Sequence, residues 1–148
     1  MERKNKVLFA YPVAFKEDLS SVDLCIPAPF LDGIEDNTLQ TIIVTVGYLI
    51  EFSHRCFILV NVDKVGVEKD FENLTVDGRH ETLKAGVYEG EFGVFLTSFF
   101  IKDVKIQGSG FYEIEVTIFK ADGLGNKTDE IIDKFNSHFW VEVKGVDL

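Results

Sequence analysis

The chain has 148 residues, of which 46% are hydrophobic and 14 are phenylalanine. A chain of this length buries about 70% of its extended surface on folding, so we expect one ordered domain over residues 1–148, without metal or disulfide support. The formal net charge is −10 and no run of Lys and Arg offsets it, which argues against nucleic acid or an anionic membrane as a partner. No window approaches about 18 consecutive apolar residues, the length that a membrane-spanning helix needs.

The first predicted strand runs from Val7 to Phe15, where apolar side chains alternate. Pro12 lies within it and favours an edge position, because proline has no N–H to donate to a neighbouring strand. The same stretch resembles the apolar part of a signal peptide. Pro12 interrupts that stretch, however, and no small-residue cleavage pattern follows it, so we expect a cytoplasmic protein.

The two cysteines are predicted to be unpaired. Cys25 and Cys56 each have apolar neighbours of the kind found in strands. In that setting a free cysteine behaves as a small buried hydrophobe. Two cysteines alone do not make the framework of a disulfide-stabilised fold, which agrees with a reducing compartment.

The strongest alternation in the chain runs from Ile42 to Phe52. Its even-numbered positions are all apolar or aromatic, which predicts a strand with one buried face made of Ile42, Val44, Val46, Tyr48, Ile50 and Phe52. The next run, Cys56 to Val62, is apolar on both faces and predicts a strand in the centre of a sheet. Asp63 to Gly86 is mostly polar and predicts a long excursion between strands.

Three further strands are predicted in the second half of the chain. The first covers residues 92–106 and ends in turn-forming residues at 107–110. The second has an inward face made of Tyr112, Ile114, Val116 and Ile118, with Glu113, Glu115 and Thr117 facing outward. The last places Phe139, Val141 and Val143 on its inner face. Residues 128–135 fit either a helical turn or a backward extension of that last strand.

Successive alternating segments, with no long helical periodicity, predict an all-β protein. We expect an antiparallel β-sandwich, immunoglobulin-like or related, with about seven to nine strands and at most one or two short helices.

The Gly110-x-Tyr112-x-Ile114-x-Val116 pattern resembles the penultimate strand of immunoglobulin-like sandwiches, in which a tyrosine hydroxyl bonds back to the preceding corner. No cysteine follows Tyr112 by two residues, so a true immunoglobulin domain is not expected. From Ile42 onward the arrangement also resembles an uncharacterised bacterial β-sandwich family. That resemblance implies the fold and brings no functional residues with it.

No catalytic or nucleotide-binding motif is present, and we predict no catalytic residue, no metal and no cofactor. Two possible metal sites are the alternatives to the prediction of no metal. His54 and Cys56 are spaced to share one face of a strand and could form half of a zinc site, which His80 or His138 would have to complete. Loop acids could offer oxygen ligands to calcium, namely Asp63, Glu68, Asp70, Glu72 and Asp77, or Asp122, Asn126 and Asp129. The simpler interpretation is a buried Cys56 and solvated acidic loops.

Trp140 is the only tryptophan and the main candidate for a ligand-binding or partner-binding residue, with His138 and Glu142 beside it. Because successive side chains of a strand alternate, an inward Phe139 and Val141 place Trp140 on the outer face. Three explanations are open for such an indole. Its own chain covers it, a second subunit covers it, or it contacts a ligand.

Three classes of function follow from these observations. The first is a non-catalytic β-sandwich for binding, assembly or an accessory role, with a homo-oligomer or another protein as partner. The second is a module for a small ligand such as a carbohydrate, which would stack on Trp140. The third is an enzyme whose site is built from loops, which a deep pocket lined by convergent polar groups would favour.

Overall fold

The computed structural model describes residues 5–15, 18–53, 55–67 and 80–145. Within these ranges the chain forms eight strands, β1 (Lys6–Val13), β2 (Phe30–Ile34), β3 (Leu39–Glu51), β4 (Cys56–Lys64), β5 (His80–Tyr88), β6 (Phe92–Lys105), β7 (Gly110–Ala121) and β8 (Lys127–Val143). The helical structure of the same ranges is a single 3-10 turn, Asp23–Cys25. None of the described helical structure is long and apolar enough to cross a membrane.

The strands form two four-stranded sheets that pack face to face. The β1 sheet has the order β1-β3-β6-β5, and the β8 sheet has the order β2-β8-β7-β4. Neighbouring strands are antiparallel except β2, which lies parallel to β8. The predicted all-β sandwich is therefore confirmed, with one parallel pair that alternation along the sequence cannot reveal.

The main core fills the space between the two sheets. The inner face of β7 is completely buried along the predicted positions Tyr112, Ile114, Val116 and Ile118. From β3 the core receives Ile42, Val44 and Val46, with Tyr48 and Ile50 packed against it. The predicted inward set of β3 is thus confirmed except at Phe52, which follows the end of the strand and is exposed.

Part of the outer face of the β1 sheet is buried as well. The segment between β1 and β2 covers it, and its 3-10 turn contributes to a second apolar cluster of Leu24, Val13, Ile43 and Phe100. The Thr45 hydroxyl of β3, fully buried here, donates a hydrogen bond to the Leu24 carbonyl oxygen at 2.8 Å. The protein's own chain therefore covers part of this outer face, where alternation predicts contact with solvent.

Both cysteines are free thiols. Cys56 begins β4 and packs against the main core as expected, although it is half-buried and not fully buried. The prediction of a buried strand position is wrong for Cys25, which ends the 3-10 turn and is exposed. The turn is too short to bury more than one side chain, and that side chain is Leu24.

Two other predictions need correction. β4 lies at the edge of the β8 sheet and not at its centre. Its outward Leu59 is nevertheless buried, since it lies opposite Thr117 of β7 and shares one hollow of the outer face with Phe119 and Lys134. The predicted excursion is also shorter than expected, since β4 continues to Lys64 and β5 begins at His80. Residues 68–79 lie outside the described residues.

The extended alternative is confirmed for residues 128–135. β8 has 17 residues and pairs antiparallel with β7 from Gly110 opposite Val141 to Ala121 opposite Lys127. In this ladder the backbone N–H and C=O groups of β8 form hydrogen bonds with β7. A helical turn over residues 128–135 would remove these groups from the sheet.

The predicted roles of Pro12 and Tyr112 are confirmed. β1, which contains Pro12, lies at the edge of its sheet. The Tyr112 hydroxyl accepts a hydrogen bond from the Gln107 backbone N–H at 2.8 Å and donates one to the Gly108 carbonyl at 3.1 Å. These bonds fix the corner between β6 and β7.

Candidate binding surface

The structure places Trp140 on the outer face of the β8 sheet. Its neighbours in sequence, Phe139 and Val141, are 2% and 0% exposed in the core between the sheets, so alternation turns the indole away from that core. His138 and Glu142 project from the same outer face, as their parity predicts. All three residues singled out in the sequence therefore share one surface.

Two phenylalanines flank Trp140 on this surface. Phe111 of β7 lies opposite Trp140 in the antiparallel ladder, and Phe30 of β2 lies opposite it in the parallel ladder. The Phe111 and Trp140 rings are 5.0 Å apart between centroids, at an interplanar angle of 85°, an edge-to-face arrangement. We call Phe30, Phe111 and Trp140 the aromatic cluster.

The aromatic cluster is only partly covered by its own chain. Phe30 and Phe111 are each 56% exposed, and Trp140 is 37% exposed. A large aromatic side chain offers roughly 150–250 Å² of surface, so the cluster presents on the order of 300 Å² of aromatic surface to solvent. That is the size of the largest apolar patch on many monomers, and such patches often serve as contact sites.

Hydrogen bonds fix the position of the indole. The Trp140 indole Nε1–H donates to the Glu142 carboxylate at 2.7 Å, and the Trp140 backbone N–H donates to the Pro29 carbonyl at 3.1 Å. The first bond uses the one polar group of the indole, and the second ties β8 to the start of β2. The ring is therefore held in one orientation at the surface, with its N–H already satisfied.

Charged pairs surround the aromatic cluster. The His138 Nε2 lies 3.3 Å from a carboxylate oxygen of Glu113, one row further along the ladder. Lys144 Nζ lies 3.8 Å from Glu35, on the β2 side, and both side chains are exposed. The rim therefore carries both signs of charge, although the whole chain has a net charge of −10.

Of the residues considered for zinc, the three that the structure describes do not come together. Cys56 Sγ accepts a hydrogen bond from the Asn5 side-chain amide at 3.0 Å, and burial raises the pKa of this thiol, which disfavours the thiolate that a metal needs. His80 belongs to the β1 sheet, where its ring lies 6.1 Å from that of Phe99, whereas His138 belongs to the β8 sheet. His54 lies outside the described residues.

Some of the residues considered for calcium form hydrogen bonds within the chain. Asp122 Oδ1 accepts hydrogen bonds from the backbone N–H groups of Leu124 and Asn126, each at 2.9 Å, and these bonds lower the pKa of its carboxyl group. The Asp63 carboxylate accepts from the Asn61 amide at 2.7 Å. Glu68, Asp70, Glu72 and Asp77 lie outside the described residues. Among the residues that are described, no three His, Cys, Asp or Glu side chains form a group that could hold a metal ion.

Phe30 and Phe111 are the members of the surface that the sequence analysis missed. Phe111 could have been found, because an inward Tyr112 requires an outward Phe111. Phe30 follows Pro27 and Pro29 in a short segment without alternation, and only its parallel pairing with β8 brings it to Trp140. No protein-family model matches the chain, and no curated protein or solved structure gives a significant match.

Proposed function

We propose that this protein is a non-catalytic β-sandwich that works by assembly, with the aromatic cluster as the centre of a contact to a second copy of the chain. The observation that carries this proposal is the meeting of Phe30, Phe111 and Trp140, from three adjacent strands, on an open sheet face. Tryptophan and other large aromatic side chains at the centre of a patch contribute much of the binding energy in protein interfaces.

The geometry favours a protein surface over a stacked sugar as the occupant. Phe111 meets the indole edge to face, so the two rings do not form one flat platform. The indole N–H, which could otherwise bond to a sugar hydroxyl, is bonded to Glu142. A protein partner can instead insert side chains between the rings and leave this bond in place.

The charges on the rim favour a second copy of the same chain. A two-fold symmetric contact brings the same patch together from both subunits, so the patch must be complementary to itself. His138 lies beside Glu113, Lys144 lies beside Glu35, and Glu142 bonds to the indole, so the rim carries both signs of charge. Such a mixed rim can pair across a two-fold axis, whereas a uniformly acidic one would repel itself.

The area of the aromatic cluster fits the centre of an interface and not the whole of it. A stable interface buries about 800 Å² on each partner, more than twice the roughly 300 Å² of the aromatic cluster. The remainder would come from the polar rows of the same face, including Glu113, Glu115 and Lys134.

A cytoplasmic location is part of the proposal and is supported by the two free thiols.

The proposal is tested by measuring the oligomeric state of Trp140→Ala by sedimentation equilibrium. Removing a central aromatic anchor should weaken self-association at least about 30-fold. The thermal unfolding of the monomer should change little, since an edge-to-face aromatic pair contributes only about 0.5–1.5 kcal/mol. Phe111→Ala should weaken self-association as well, because it removes the neighbouring ring.

Phe52→Ala is the matched control, because Phe52 is 50% exposed but lies at the end of β3 in the other sheet. It should leave self-association unchanged. If Trp140→Ala instead lowers monomer stability strongly and leaves association intact, the indole is ordinary packing and the proposed function is wrong.

A further inference from the structure

The outer face of the β1 sheet, on the opposite side of the molecule from the aromatic cluster, is only partly covered. The segment that carries Leu24 covers one end of it. Elsewhere the face forms an open groove of about 280 Å³, lined by residues from all four strands of this sheet. Phe9 lies on the β1 side, Tyr88 on the β5 side, and Val94 and Leu96 of β6 lie between them.

Two glycines give this groove its shape. A Cβ atom on Gly47 would lie only 2.4–2.9 Å from three ring carbons of Phe9, so the Phe9 ring lies down across the β3 backbone. A Cβ atom on Gly86 would lie 3.0–3.2 Å from the outer atoms of the Tyr88 side chain, which therefore covers the β5 backbone. The rings remain 43% and 53% exposed. Both line the groove with aromatic surface that solvent can reach.

The charge in the groove has one sign. Lys84 is the one charged side chain among the described residues that line it, and no carboxylate from those residues lines it. The register places Lys84 opposite Leu96, at the β5 end of the apolar floor. In a chain with 25 acidic and 15 basic residues, an apolar groove that ends at a lysine is complementary to an apolar molecule with one negative group.

We propose that this groove binds an unbranched apolar chain that ends in a carboxylate, such as a medium-chain fatty acid. The apolar chain lies on Val94 and Leu96 between the Phe9 and Tyr88 rings, and the carboxylate pairs with the Lys84 ammonium group. The groove volume of about 280 Å³ leaves room for a chain of medium length.

The first test is a calorimetric titration of the full chain with hexanoate, octanoate and decanoate. A fully buried methylene lowers Kd about 4-fold, and a half-buried one about 2-fold, so the series from hexanoate to decanoate should span about one to two orders of magnitude in affinity. The gain per methylene should fall away in dodecanoate and longer acids, once the chain extends beyond the apolar floor. Absence of heat with decanoate at both about 15 °C and about 35 °C, or affinity independent of chain length, would overturn the proposal, since the heat-capacity change of apolar burial gives a measurable enthalpy at one of the two temperatures at least.

The second test uses two variants of exposed residues. Tyr88→Ala removes one side of the groove and should weaken decanoate binding at least about 5-fold. Lys84→Ala should weaken decanoate binding about 2- to 5-fold, the range for an exposed ion pair, and should leave decanol binding unchanged. Circular dichroism establishes that both variants are folded.

Lys120→Ala is the matched control, since it removes an exposed lysine from the other sheet. It should leave both ligands unaffected. The groove assignment is overturned if Tyr88→Ala binds decanoate like the parent, and the carboxylate assignment is overturned if Lys84→Ala and Lys120→Ala behave alike. Loss of binding in Trp140→Ala would move the ligand to the aromatic cluster and would also contradict the groove.

Discussion

At the scale of single residues, Tyr112 carries the clearest structural role. Its ring is completely buried against the core, and its hydroxyl is bonded to two backbone groups of the corner before β7. Tyr112→Phe keeps the ring and removes these bonds, so it should lower the free energy of unfolding by about 1–2 kcal/mol. Tyr112→Ala also leaves a cavity and should cost about 3–5 kcal/mol. Urea denaturation measures both, and a parent-like midpoint for Tyr112→Ala would contradict this role.

Residues on regular strands could be predicted well from the sequence. Alternation with period two places Tyr112 inward and Trp140 outward, because shifting either strand by one residue would bury charged neighbours. Cys25 and Phe30 could not be placed in this way. Cys25 lies in a 3-10 turn and Phe30 in a five-residue strand, and neither segment is long enough to show a period.

At the scale of the strand pair, Gly47 and Phe9 form a unit that links β1 to β3. Gly47→Ala would put a methyl group into the Phe9 ring and should lower the free energy of unfolding by about 1 kcal/mol, the low end of the cost of overpacking, because the partly exposed ring can turn aside. In a Phe9→Ala background the same change should be neutral or stabilising, because alanine fits a strand better than glycine. Urea denaturation of the four proteins gives the coupling energy. Additive effects would show that the ring does not lie on Gly47.

The order of strands within the sheets could not be predicted from the sequence. The apolar outer face of β4 indicates a central strand, yet side chains of β7 and β8 bury Leu59 while β4 remains at the edge. The sequence analysis did not predict β5, because polar residues lie on both of its faces and a bulge between Thr82 and Lys84 interrupts its alternation. Such features depend on neighbours that are distant in sequence, and no local pattern encodes them.

At the scale of the whole molecule, the net charge of −10 opposes the proposed self-association. Salt screens this repulsion, since the Debye length falls from about 30 Å at 0.01 M to about 8 Å at 0.15 M ionic strength. We therefore expect sedimentation equilibrium to show tighter self-association at the higher ionic strength. Weaker association at 0.15 M would indicate that attraction between charges dominates the contact.

The fluorescence of Trp140 tests the proposed assembly most directly, because the chain contains no other tryptophan. The indole is 37% exposed in the single chain, so covering it with a second copy removes its remaining contact with water. As protein concentration rises through the range in which the sedimentation data show association, the emission maximum should shift to shorter wavelength and acrylamide quenching should fall. An emission maximum and a quenching constant that stay the same across that range would contradict the account.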